Sequence, residues 1–289
     1  MMILLENENL LINISAKGAE LRSIKSKTTK LEYLWKGDAA YWGKFSPVLF
    51  PVIGALKNNT YLFEDKIYEL PRHGFARDHE FDVQQISEAE VLFTLKSSAD
   101  TLKVYPFEFE LGLRYQLSGS KVSCTYEVSN PGSKDLLFSV GGHPAFAAPL
   151  TAETAYEDYY LEFNKDEAIT YFKIDDNLIS DRTVDLPLNN RRLTLQHDLF
   201  YDDALVIKNL KSDSISLKNT KNEHGLHFSF SDFPFFGIWA AKDADFICLE
   251  PWCGIADGIH HNQQLSDKEG INSLSPGLDW KRTWSAEVF

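Results

Sequence analysis

The chain has 289 residues, 44% of them hydrophobic and 25% charged, which supplies ample core material and excludes a disordered segment as the default. A formal net charge of −13 with no run of like positive charges argues against nucleic acid or an anionic membrane as partner and leaves a small neutral or polar ligand as the easier one. Three cysteines, Cys124, Cys248 and Cys253, are odd in number and lack CxxC spacing, against both a disulfide framework and a zinc site. The first residues lack a basic leader with an apolar core, and no stretch reaches about 18 apolar residues, so a soluble cytoplasmic protein is expected.

In chain order the sequence reads mostly as strands. Residues 4–14 and 19–24 mix apolar and polar positions at short period about Gly18, predicting an opening meander. Trp35 precedes the turn signal Lys36-Gly37-Asp38; it is either a platform for a sugar face or a core aromatic, and the stretch to Trp42 is a short helix or a loop. Two prolines and a glycine in residues 46–54 rule out a central regular strand there and predict an irregular buried segment. A hairpin is expected about residues 61–70. It is followed by Arg72-His73-Gly74-Phe75-Ala76-Arg77, where two arginines flank a histidine in a loop, an arrangement suited to an oxygen-rich or anionic ligand or equally to a plain surface loop.

Residues 81–95, 107–117 and 122–128 alternate as sandwich strands do, and Asn130-Pro131-Gly132 marks a turn. His143 follows an apolar strand and the pair Gly141-Gly142, which presents it either to a cleft or as a satisfied core histidine. Asp166-Glu167 and Asp175-Asp176 read as solvated loops, and residues 191–195 as a strand. Asp202 and Asp203 stand at the mouth of the apolar strand that ends at Ile207, where one can grip sugar hydroxyls or cap a turn. Phe236 lies in an aromatic run, residues 233–239, of a density that more often marks core than ligand contact; it is retained as a candidate contact. Glu250 sits inside the apolar run Phe246-Ile247-Cys248-Leu249-Glu250-Pro251-Trp252. Burying an unpaired carboxylate costs several kcal/mol, roughly, so Glu250 is either ion-paired or a general base with a raised pKa. Pro251 lacks an N–H, and the strand is expected to end near Glu250. Residues 254–270 read as a mobile loop, with His260-His261 but no further ligands at metal spacing. Repeats, linkers, GxSxG, GxGxxG and P-loop motifs are absent.

The His73-Gly-Phe-Ala-Arg loop, Gly-Gly-His143-Pro-Ala-Phe, Phe-Pro-Phe-Phe-Gly-Ile-Trp and Leu-Glu250-Pro-Trp together resemble the aldose 1-epimerase (galactose mutarotase-like) superfamily, nearest to its bacterial LacX-type branch. The resemblance spans nearly the whole chain and implies one domain over residues 1–289, an all-β, large antiparallel β-supersandwich with few short helices. It implies an aldose 1-epimerase that opens and recloses a hexose ring without metal or cofactor. Glu250 matches the base that takes the C1 hydroxyl proton, His143 the acid that protonates the ring oxygen from the opposite side, and His73 the second histidine near that oxygen. Asp202 or Asp203 matches the aspartate that holds sugar hydroxyls, and Arg72, Arg77, Trp35 and Phe236 complete the candidate contacts. Many relatives carry arginine directly after the glycine equivalent to Gly54; Ala55 stands here, which leaves Arg77 or Lys57 to do its work. Two alternatives stay open: a hexose-6-phosphate 1-epimerase whose Arg72 or Arg77 pairs with phosphate, and a non-catalytic carbohydrate-binding protein.

Overall fold

Alternating burial builds the larger sheet. In Lys121–Ser129 the side chains of Val122, Cys124, Tyr126 and Val128 are buried and those between them are half-buried, as in a strand with one face on a core. It pairs with Glu110–Ser118 on one side and Asp279–Val288 on the other, at the centre of a nine-stranded antiparallel sheet. The computed structural model describes residues 1–289.

A second sheet runs in the order Leu178–Pro187, Ala168–Asp175, Leu205–Ile207, Phe235–Trp239, Phe246–Cys253, Val140–Gly142 and Val48–Leu49, with Ala145–Ala147 also paired to Phe246–Cys253. The two sheets face each other as a sandwich. Phe228 of the nine-stranded sheet packs on Phe146 and Phe236 of the other at ring separations of 5.6 and 6.3 Å, and Phe230 packs on Phe236 at 4.2 Å. The opening meander is a three-stranded sheet of Met2–Glu6, Leu10–Ser15 and Glu20–Ser26. Thr60–Phe63 and Lys66–Glu69 form the expected hairpin, its turn residues Glu64 and Asp65 both at positive φ. One helical turn, Thr101–Val104, is the α-helical content, and no helix is long and apolar enough to cross a membrane.

Two expectations change, and one hairpin has no counterpart among them. Ala168–Asp175 and Leu178–Pro187 form a long hairpin that turns at Asp176 and Asn177, beside the expected solvated Asp175-Asp176. Its faces are mostly half-buried or exposed, so it never shows the apolar alternation that marks a strand in sequence. The stretch 254–270 is pinned rather than loose: Ile255, Asp257, Leu265 and Lys268 are all buried.

The strand carrying Glu250 also does not stop at Pro251 but runs on to Cys253. The amide of Leu249 donates to Pro144 O, and N–H groups two residues apart point the same way, so position 251 faces the gap between Val140–Gly142 and Ala145–Ala147. A proline there forfeits no ladder bond. Because Phe228 is fully buried between the sheets, Phe228→Ala is expected to cost about 3–5 kcal/mol. A urea titration should show this as a lower midpoint at unchanged slope.

Candidate active site

Glu250 is placed by strand pairing. It lies opposite Gly237 of Phe235–Trp239, where an added Cβ would come within 2.5 Å of the Trp252 ring, so the missing side chain makes room for Trp252 on the face that Glu250 shares. His143 sits in the break between Val140–Gly142 and Ala145–Ala147, two short strands that both pair with the Glu250 strand. The break delivers the imidazole to the carboxyl: His143 Nε2 is 3.3 Å from Glu250 Oε2, and the two residues are 9% and 2% exposed. Trp42 stacks on the imidazole at 5.0 Å and Trp239 meets it edge-on at 5.6 Å. The acid and base candidates are neighbours, not the opposing walls expected from sequence. O1 and O5 of a pyranose are both bonded to C1, so neighbours can still serve one oxygen each.

His73 comes from the loop after the hairpin, at φ 69°. Its Nδ1 accepts the Gly54 N–H at 3.1 Å and its own N–H donates to Gly54 O at 2.8 Å. An occupied acceptor at Nδ1 places the proton of the neutral ring on Nε2, so His73 offers the cleft a donor. The His73 and His143 rings lie 5.9 Å apart and nearly perpendicular.

These side chains line one cleft of about 560 Å3, which is within the usual range for small-molecule sites. Of the residues singled out in the sequence, Glu250, His143, His73, Arg72, Arg77, Asp202 and Asp203 are on its wall. Trp35 and Phe236 are not: Trp35 is a core residue whose Nε1 donates to Trp42 O, and Phe236 packs into the sandwich on Phe230. Of the two stand-ins for the missing arginine after Gly54, Arg77 lines the cleft, whereas Lys57 spends its ammonium on the carbonyls of Ile259 and His261. Asp202 points to solvent and pairs with Lys173 at 2.9 Å. Asp203, held at φ 117° with its Oδ1 accepting the Ala204 N–H, is the less exposed of the two and close enough to act on Glu250. Sequence reasoning missed Trp42, Lys44, Asn177, Trp239 and Trp252 as lining residues. Of these, Trp252 was within reach, two residues beyond Glu250 and so on its face of the strand.

Burial is the main force on Glu250, His143 and His73. It pushes the Glu250 carboxyl well up; Arg72 opposes this and Asp203 adds to it. Burial, with the charges of Arg72, Arg77 and Lys44, lowers the His143 imidazole to about 3, and burial with His143 and the same cations holds His73 well below its ordinary value. Near neutral pH these shifts leave one proton on the pair, carried by Glu250 as a carboxylic acid beside the neutral imidazole of His143. His143, Cys248 and Glu250 offer a nitrogen, a sulfur and an oxygen within 4.8 Å of one another. Burial beside Glu250 holds the Cys248 thiol well above its ordinary value.

The family model described as aldose 1-epimerase matches residues 1–266. The chain is 36% identical over 299 residues to the chromosomal protein LacX of Lactococcus lactis subsp. lactis, covering 100% of this chain and 99% of that one. Among solved structures, the galactose mutarotase related enzyme from Lactobacillus acidophilus superposes with a TM-score of 0.95 at 34% identity, over 100% of this chain and 97% of the other. A galactose mutarotase-like protein from Lactobacillus casei gives 0.92 at 32% identity over 100% of both.

The shifts fix how stability responds to pH. The folded protein holds the Glu250 proton above the value at which the unfolded chain releases it, so this group removes stability as the pH rises past about 4.3. His143 works the other way: the stability tied to its neutral form is present at neutral pH and is lost as the pH falls from about 6.5 toward about 3. Glu250→Gln removes only the first effect. Its thermal midpoint relative to the wild type should rise between about pH 5 and pH 8, and a falling difference would show a carboxylate stabilised by an ion pair.

Proposed function

The chain belongs to the aldose 1-epimerase family, and from that premise we propose that it interconverts the α and β anomers of a hexose, using Glu250 as base and His143 as acid. The contact of these two groups at 3.3 Å supports the reading most directly, because it sets a proton acceptor and a proton donor side by side on one cleft. In the form with Glu250 ionised and His143 protonated, Glu250 takes the O1 proton while His143 protonates O5. The C1–O5 bond breaks and a free aldehyde forms. Rotation about C1–C2 then exposes the other face of the carbonyl. Reclosure returns the O5 proton to His143 and the Glu250 proton to O1, which gives the other anomer and the original charges. The Nε2–H of His73 donates to an oxygen of the bound sugar, and Asp203 in preference to Asp202 accepts from its hydroxyls. The proton cycle closes on protein groups alone, and substrate class follows from the cleft wall.

One observation favours a second reading of that substrate. Lys44, Arg72 and Arg77 all line the cleft of a chain with net charge −13. Their nearest carboxylate pairing is Arg77 with Asp78 at 3.8 Å, and Arg72 is bonded to the Asn177 amide instead. A sugar 6-phosphate would supply the missing anion.

Saturation-transfer NMR on glucose, galactose and their 6-phosphates tests both readings. Glu250→Gln should abolish exchange while the protein stays folded, and His143→Asn should lower turnover by about 10²–10⁴-fold with a smaller effect on binding. Sugar binding without accelerated exchange in the wild type would instead show a carbohydrate-binding protein. If the phosphate is recognised, Lys44→Met lowers kcat/KM for a 6-phosphate by roughly 10–100-fold and leaves the neutral hexose nearly unchanged. Equal loss for both sugars removes the phosphate reading.

A further inference from the structure

Two of the three hydrogen bonds of His73 end on Gly54, the amide N–H to Nδ1 and the carbonyl from the backbone N–H; the third is the Phe50 N–H to His73 O at 3.3 Å. Gly54 holds that position at φ 66° with no room to spare, since a Cβ there would lie 2.3 Å from the Cβ of Ala256. The next residue toward the interior is Asp257, 2% exposed, and its groups are committed in every direction. Its N–H donates to Ala55 O at 3.0 Å, its O accepts from Ile179 N–H at 2.9 Å, and its Oδ2 accepts from Lys57 N–H at 2.8 Å. Its Oδ1 is held at 2.7 Å by the ammonium of Lys268, both side chains wholly buried, with His261 Nε2 at 3.7 Å. A buried ion pair returns little net stability for the desolvation it requires. What this pair does supply is direction, since it fixes the carboxylate that holds the Lys57 N–H, beside the Asp257 N–H that holds Ala55 O, and these two ties anchor the segment that follows Gly54.

We propose that the Lys268–Asp257 pair is a positioning device for anomer exchange: it holds Gly54 where the glycine N–H occupies Nδ1 of His73, so that the imidazole keeps its proton on Nε2, facing the sugar. The chain of contact runs from Lys268 through Asp257 to Ala55 and Lys57, then Gly54, then His73. Neither Lys268 nor Asp257 touches substrate. The proposal rests on the mutarotase reading for its effect on turnover, and on geometry alone for its effect on the His73 ring.

The test compares wild-type protein, Lys268→Met and the apolar double variant Asp257→Leu with Lys268→Met. Ring 15N NMR of His73 reports the tautomer, saturation-transfer NMR on galactose reports kcat and KM, and thermal unfolding reports the fold. Lys268→Met leaves a buried carboxylate without its counter-charge and is expected to lower the unfolding midpoint; the double variant removes both charges, and is the one to read if the single variant does not fold. The expected result in the double variant is a folded protein whose His73 populates both tautomers, with kcat lower by roughly 10–100-fold and KM little changed. A double variant whose His73 stays in the Nε2–H form overturns the proposal whatever its turnover, as does a mixed tautomer with wild-type kcat. Should the wild type exchange no anomers, the mutarotase reading fails while the tautomer comparison still decides whether Lys268 and Asp257 position His73.

Discussion

A carboxyl group inside a sheet strand is the constraint around which this molecule is arranged. All eight residues of Phe246–Cys253 are buried, Glu250 among them. In so dry a place a lone carboxylate would cost several kcal/mol, roughly, and the group either keeps its proton or finds a partner to trade it with. The partner is His143, itself buried and drawn to low basicity. Each group alone has the wrong protonation at neutral pH for the role proposed for it. In the proposed exchange the one proton they hold changes place between them, and its two placements are the states before and after ring opening.

Strand topology makes that contact. The Glu250 strand is flanked by two short segments instead of one continuous neighbour, and the residues between them, His143 and Pro144, form the break. The same interruption lets Pro251 sit in mid-strand without cost. Trp42 and Trp239 then close around the imidazole. His73, in contrast, is set by backbone: two bonds to Gly54 orient it, and Gly54 is locked against Ala256. In the proposed mechanism one imidazole accepts or releases a proton beside Glu250, and the other, its Nδ1 occupied by the Gly54 N–H, donates through Nε2.

How much of this was legible in the sequence depended on parity and pattern. Val122 to Val128 and the Glu250 run announced their strands because one side of each is plainly apolar. The hairpin at residues 168–187 did not, because most of its side chains reach solvent on both faces. Phe236 and Trp239 show the limit more finely. Gly237 faces Glu250 across the ladder, so Trp239, two residues on, turns toward the cleft while Phe236 turns into the core, and a run of aromatics does not reveal its own phase. Lys44 and Trp42 come from an irregular loop with no period to read. Lys268 and Asp257 lie in the stretch read as a mobile loop and no local pattern marks them, since burial of an ion pair depends on partners eleven residues apart folding onto one another.

The shared proton is the claim on which the rest turns, and a pH titration of the Glu250 side-chain carboxyl carbon and the His143 ring nitrogens by 13C and 15N NMR measures it directly. The account predicts that the pair keeps a single proton from about pH 5 to pH 7, with both sets of signals moving together if that proton is displaced. Loss of the last proton from Glu250 near the ordinary carboxyl value of about 4.3, with His143 neutral throughout, would contradict it.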